Sequence, residues 1–305
     1  MPAYQDIPGK VFLGATVITA FLVAFLIGFI FVNALPTYIS EGPHFITGTR
    51  WSYDTHEYGI WLFIGGTLVL TAVTIVLAVP LGVLAAVYLS EWAPRRVEKI
   101  FRPLIELLVG IPSVVYGLFG VFLLAPFFRD VVDPALSGTL GFIPIFRDAT
   151  PGLGLGVLLA ATVLTIMILP TIIALSEEAM RAVPAELREA SFALGATRWE
   201  TVRRVVIPAA FAGIVTAVVL GMMRALGETM AVVMLTGNGD HIPTSLLDTG
   251  YAMTSKILND IGYRFAQPEA RSALIAIAGI LFLIEIIFVG ITRFISGKAR
   301  ERSGH

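Results

Sequence analysis

Apolar residues fall into six long runs along this chain, at 11–35, 59–90, 104–128, 152–176, 209–236 and 273–294, separated by more polar segments. About 20 helical residues cross the hydrocarbon core of a bilayer, so each run is long enough to be a membrane span. The pattern predicts an all-α polytopic membrane protein with six transmembrane helices. The second run exceeds the bilayer thickness, so tilt, a kink at Pro80 or an interfacial first turn near Trp61 has to absorb the excess. The first run is longer than the apolar region of a secretory signal and lacks a small-residue cleavage site, which predicts a retained helix.

Composition agrees with this reading and removes several alternatives. Of 305 residues, 56% are hydrophobic and 14% charged, with a mean hydropathy of +0.85. There is no cysteine, so disulfides, thiolate chemistry and cysteine-ligated metals are excluded. The net charge of −1 conceals an asymmetry. With a cytoplasmic N-terminus, fourteen of the 21 Lys and Arg residues fall on the inner side and six on the outer. That bias predicts that both termini are cytoplasmic, in keeping with an even number of spans.

The remaining cation, Arg224, lies inside the fifth run with Glu228 and Thr229. A centrally placed arginine costs roughly 2.5 to 3.5 kcal/mol on insertion scales, so it should face an anion, a carboxylate or water rather than lipid. A guanidinium also offers two parallel donors to an oxyanion. Read as one unbroken helix, the run places Glu228 one turn beyond Arg224 on the same face, where it can hold the arginine when no substrate is bound. It can also accept a hydrogen bond from a protonated oxyanion, while Thr229 adds a neutral donor. The competing reading is a structural pair that only fixes helix packing. Glu285, mid-span in the sixth run, reads as a hydrogen-bonding group toward a neighbouring helix. Ser113 and Tyr116, following Pro112, either line a cavity or pack a bent helix. Gly65, Gly66, Gly117, Gly120, Gly221 and Gly227 suit close helix approach.

The one long inner loop, 177–208, carries a second pattern. Val183, Leu187, Ala190 and Leu194 recur at helical spacing after Pro184, and Gly195 supplies a left-handed stop. Thr197 and Glu200 then form a capping box that starts another helix, and Pro208 marks entry to the fifth span. The expected result is a helix, a glycine turn and a helix, with a small-residue surface that another protein's groove can hold.

Here the residues resemble a known family. Glu189-Ala190-Ser191, three residues, Gly195, nine residues and then Val205-Val206-Ile207-Pro208 is similar to the EAA loop of ABC importer permeases, with Ser191, Val205 and Ile207 as conservative departures. Tyr88 to Pro94, Glu106 to Leu108, Gly110 to Gly117 and the stretch around Arg224 narrow the resemblance to the PstC permeases of bacterial phosphate importers. The resemblance implies a type I ABC importer permease fold in the cell inner membrane. It also implies a PstA-like second permease, a PstB-like ATPase dimer binding ATP and Mg, and a PstS-like phosphate receptor. The coupling loop to the ATPase would be carried by Glu189, Ala190, Ser191, Gly195 and Pro208. Domain organisation follows: an N-terminal helix and outside loop at 1–58, a permease core at 59–296 and a cytoplasmic tail at 297–305.

Other functions fit less well. No G-x-x-x-x-G-K-[ST] loop occurs, so the chain is expected not to be an enzyme, to hold no cofactor of its own and to take its energy from elsewhere. Gly237 to Asp240 reads as a turn. No internal inverted repeat supports a secondary transporter. No H-E-x-x-H motif occurs, and His44, His56, His241 and His305 lie outside the spans, so neither a metal site nor an intramembrane hydrolase is expected. A permease for sulfate or molybdate remains the alternative. The outer segment 237–267 is expected to form short amphipathic helices through Leu246, Leu247, Tyr251, Ile257, Leu258 and Ile261, serving as lid, receptor dock or packing.

Overall fold

The computed structural model describes residues 6–148 and 150–303. His305 and the end of the 297–305 tail lie outside them, as do the first five residues of the 1–58 segment. The chain runs through α1 (Asp6–Glu41), α2 (His44–Thr47), a hairpin of β1 (Trp51–Ser52) and β2 (Glu57–Tyr58), and α3 (Trp61–Glu91). Then come α4 (Arg95–Gly110), α5 (Ser113–Leu140), α6 (Val157–Arg181), α7 (Ala185–Ala193) and α8 (Arg198–Gly227). The chain closes with α9 (Met230–Leu235), α10 (Met253–Arg264) and α11 (Pro268–Ser303). Six helices among the described residues are long and apolar enough to span a membrane: α1, α3, α5, α6, α8 and α11.

Two spans differ most from the sequence reading. The third span was expected at 104–128, yet the helix breaks at Ile111 and Pro112 and the span runs Ser113–Leu140. Pro112 has no N–H to donate and pushes Ile111 into extended backbone, with ψ 126°. The residues before it form the separate, strongly amphipathic α4. The span continues past Arg129 and Asp130, which pair with each other at 2.7 Å. The fifth span, expected at 209–236, starts earlier at Arg198 and stops at Gly227.

The chain divides into two compact units. The first contains α1, the hairpin and Asp260–Phe282. Here the Thr37 hydroxyl bonds that of Ser272 at 2.8 Å, and Tyr38 donates to the Ala276 carbonyl at 2.9 Å. In the hairpin Trp51 pairs with Tyr58 and Ser52 with Glu57. Its aromatic cluster of Trp51, Tyr53 and Tyr58 is extended by Arg264, 4.6 Å above the Tyr53 ring. Burial, reinforced by a hydrogen bond to Asp260, raises the Tyr53 phenol well above its usual range. Most of α1 presents apolar side chains outward, as a lipid-facing helix does.

The second unit, Leu62–Asn259 with the chain from Leu283 onward, is built around α6, the most buried span. Its core includes Leu70, Leu164, Met167, Ile168, Ile172, Val232 and Leu235. Gly82 of α3 and Gly221 of α8 both abut Ile172, where a Cβ would come within 2.7 and 2.8 Å of its side chain, so these spans approach closely. Gly117 and Gly120 do the same against Met234 and Leu235 of α9, and Gly66 packs on the Tyr251 backbone. Gly65 and Gly227 have ordinary room.

The segment after α9 departs from expectation in part. Only α10 is helical; 237–252 is an irregular, largely buried strap that includes the turn read at Gly237 to Asp240. Carbonyls of Leu235, Asp248 and Leu246 accept from the first N–H groups of the fourth span at Gly156, Val157 and Leu158, at 3.0, 3.0 and 2.8 Å. A helix start leaves these donors unsatisfied, and the strap supplies what water cannot at that depth.

Candidate substrate path and coupling surface

Arg224 lies in the last turn of α8, half-buried, and its Nη1 reaches the Thr171 hydroxyl of α6 at 3.5 Å. The helix ends three residues later. Glu228 has extended backbone, with ψ 130°, so it does not continue the Arg224 face, and the two side chains form no ion pair among the described residues. This corrects the expected one-turn pairing. The physical reason is local competition: the Glu228 carboxylate turns forward and accepts from the N–H groups of Thr229 and Ala231 at 3.1 and 3.4 Å, capping α9. Each charge therefore sits at the helix end that favours it, the cation at a C-terminus and the anion at an N-terminus.

Threonine hydroxyls satisfy the carbonyls freed by the break. Thr254 donates to the Glu228 carbonyl at 2.9 Å and Thr229 to that of Gly227 at 3.2 Å. The Thr229 proton is thus engaged within the chain. Glu285 of α11 faces the same break, its Oε1 3.7 Å from the position a Gly227 Cβ would take. It is half-buried and makes no hydrogen bond among the described residues, contrary to the expected bond to a neighbouring helix. Tyr116 is buried and donates to the Leu108 carbonyl at 2.9 Å, bridging the end of α4 and the start of α5, so it is a packing residue. Ser113 opens α5 and is half-buried.

The loop between the fourth and fifth spans follows the sequence reading closely. α7 spans Ala185–Ala193, Gly195 has φ +81°, and the Thr197–Glu200 capping box is complete, the Thr197 N–H reaching the Glu200 carboxylate at 2.9 Å. Pro208 lies in the first turn after a π-helical stretch, Val202–Val206, within α8. Glu189 and Ala190 are exposed, while Ser191 bonds Thr201 at 2.9 Å and ties the two helices together. No residue of α7 is buried, and Leu187, Phe192, Leu194 and Trp199 are outward-facing. An apolar patch of this kind marks an interaction surface, toward a protein or a membrane.

Residues 78–301 match the sequence pattern of the binding-protein-dependent transport system inner membrane component family. The chain belongs to this family. It is accordingly a multi-pass component of the inner membrane. Relatives include a probable ABC transporter permease, YqgH of Bacillus subtilis, 37% identical over 89% of this chain and 84% of the relative. A phosphate transport system permease, PstC of Mesorhizobium japonicum, is 36% identical over 96% of this chain and 91% of its own length. The fold is that of ABC importer membrane subunits. A bacterial alginate ABC transporter chain superposes with a TM-score of 0.61 at 18% identity, covering 97% of both chains. A chain of the MetNI methionine ABC transporter superposes with 0.55 at 21% identity, covering 82% of this chain and 99% of that one.

Sequence reasoning passed over Thr171, Glu91 and Arg188 as contact-making residues. Thr171 follows Pro170 within an apolar run, where a threonine is unremarkable. Glu91 and Arg188 are 97 residues apart, and no periodicity connects them.

Proposed function

We propose that this chain is the permease subunit of an ATP-driven importer that carries inorganic phosphate into the cell. The observation that carries the reading is Arg224: a permanent cation at membrane depth, beside a helix break, with a hydroxyl rather than a carboxylate as its partner. Its charge is free to meet an anion. Phosphate oxygens accept bidentate donation from a guanidinium, and the Thr171 hydroxyl lies beside it. Glu228 holds the break open by capping α9 and keeps its second carboxylate oxygen for the proton of hydrogen phosphate. Thr229 secures the same turn, Glu285 facing the break adds a carboxylate that weakens anion binding enough for release, and Ser113 at the start of α5 is a further polar group of the proposed path. The PstC-type relatives support phosphate over other oxyanions.

In this reading the loop 177–208 faces the cytoplasm, as do both termini, and the transport core is 59–296. Glu189, Ala190, Ser191, Gly195 and Pro208 shape the seat of a PstB-like ATPase dimer, which binds ATP and Mg and does the hydrolysis. A PstA-like subunit completes the channel, and a PstS-like receptor delivers phosphate at the other face. The test is ATP-driven uptake of phosphate, sulfate and molybdate by the reconstituted complex. The parent should carry phosphate, and Arg224→Gln should reduce its uptake about a hundredfold while assembly survives. Phosphate uptake at the parent rate in Arg224→Gln removes the arginine from the path; preference of the parent for sulfate or molybdate replaces phosphate by that oxyanion.

A further inference from the structure

The loop helix α7 is joined by the chain to α6 and α8, but a third span is fastened to it through space. Arg188, alone among the charged residues of α7, turns inward. Its Nη1 lies 2.5 Å from Glu91 Oε1 and its Nη2 donates to the Met180 carbonyl of α6 at 2.7 Å. Glu91 is the last residue of α3, and its side chain is only 8% exposed. The Ser90 hydroxyl donates to the same oxygen at 3.1 Å. Arg198, the first residue of α8, donates to the Glu91 backbone carbonyl and lies 5.7 Å from the Trp92 ring, which itself packs against Trp199. Beneath these bonds Ala86 and Val87 of α3 share an apolar cluster with Met180, Val183, Val202 and Val206.

We infer that the Glu91–Arg188 pair is a positioning element that makes α3 move as one body with α7, so that a push on the loop drives the second span together with the fourth and fifth. A short helix lying on the surface transmits force only along its covalent connections unless something stiff reaches across. A guanidinium shared between a buried carboxylate and a backbone carbonyl has fixed geometry and few alternatives. Beyond the pair, α3 is engaged along its length: Gly82 abuts Ile172, and the Thr165 hydroxyl donates to the Thr74 carbonyl at 3.4 Å. A cavity of about 410 Å³ lined by Glu91, Arg188, Phe192 and Arg198 opens beside the pair, so a side chain entering from a docked partner touches the fastening directly. The inference rests on the proposed seating of an ATPase on this loop.

The experiment uses the complete complex in proteoliposomes and reads ATP hydrolysis and labelled-phosphate uptake in the same sample. Glu91→Gln and Arg188→Gln should lower uptake per ATP about tenfold while receptor-stimulated hydrolysis stays near the parent's. The swapped pair, Glu91→Arg with Arg188→Glu, should recover most of the loss. Uptake per ATP equal to the parent's in both single variants overturns the inference. Should the single variants fail to assemble, the absence of native cysteine allows Glu91→Cys with Arg188→Cys to be joined by a short thiol-to-thiol linker. Retained transport after joining supports a single moving body, and loss of transport shows that α3 and α7 separate during the cycle, which refutes it. A parent complex that carries another oxyanion changes the proposed substrate but leaves uptake per ATP readable with that anion.

Discussion

At the scale of single residues, the charges around the break show how a membrane helix accommodates ions without pairing them to each other. Arg224 ends one helix and Glu228 starts the next, so each helix terminus stabilises the charge beside it. This arrangement separates the roles of the Glu228 charge and its oxygen. Replacement by glutamine keeps an acceptor for the Thr229 and Ala231 N–H groups, whereas alanine leaves both without one. Glu228→Ala should therefore lose about 1–2 kcal/mol of stability relative to Glu228→Gln, measured by unfolding in detergent. Equal stability of the two variants would remove the capping role. The presence of both charges was legible from the chain; their mutual placement was not. An uninterrupted apolar run reads as one helix, and only the carboxylate's forward turn and the Thr254 hydroxyl reveal the break.

Among the elements, the α7–α8 loop was the most legible because its determinants are local. The proline start, the left-handed glycine and the capping box each act within a few residues. Gly195 at φ +81° has open space around it, so a Gly195→Ala change is opposed by backbone strain alone. It should cost about 1 kcal/mol, and Thr197→Ala a similar amount through loss of the cap. Both should appear as faster amide hydrogen exchange across 185–200, with the membrane spans unchanged; identical exchange in the variants would contradict the local account. α4 was misread for the opposite reason. Its residues 104–110 are apolar enough to join a span, but the helix is tied to α6 through Arg102 and Glu98, which meet Glu177 and Arg181 at 3.2 and 2.8 Å. Hydropathy does not register such ties.

For the whole molecule, the strap at 237–252 does the work of closing the fourth span. Asp248, 2% exposed, accepts from Thr244 and Thr249 backbone N–H groups at 3.2 and 2.8 Å and bonds His241 at 2.9 Å, while its own carbonyl caps Val157. Asp248→Ala should destabilise the protein by about 1–3 kcal/mol, since the buried Thr249 N–H loses its acceptor and the strap loses its ties to Thr244 and His241. An unchanged thermal midpoint in detergent would show that the strap is held by other contacts.

Sequence alone determined that the chain lives in a membrane, how many times it crosses, and that the loop between the fourth and fifth spans is a helix, a glycine turn and a capped helix. These features depend on transfer free energy summed over a window and on capping chemistry a few residues long. Tertiary structure alone decided which charges meet. Arg224 finds Thr171, Glu228 caps α9, Glu285 faces the break and Glu91 holds Arg188, because helix packing brings together groups that no local window contains, and buried polar atoms take the partners that packing supplies.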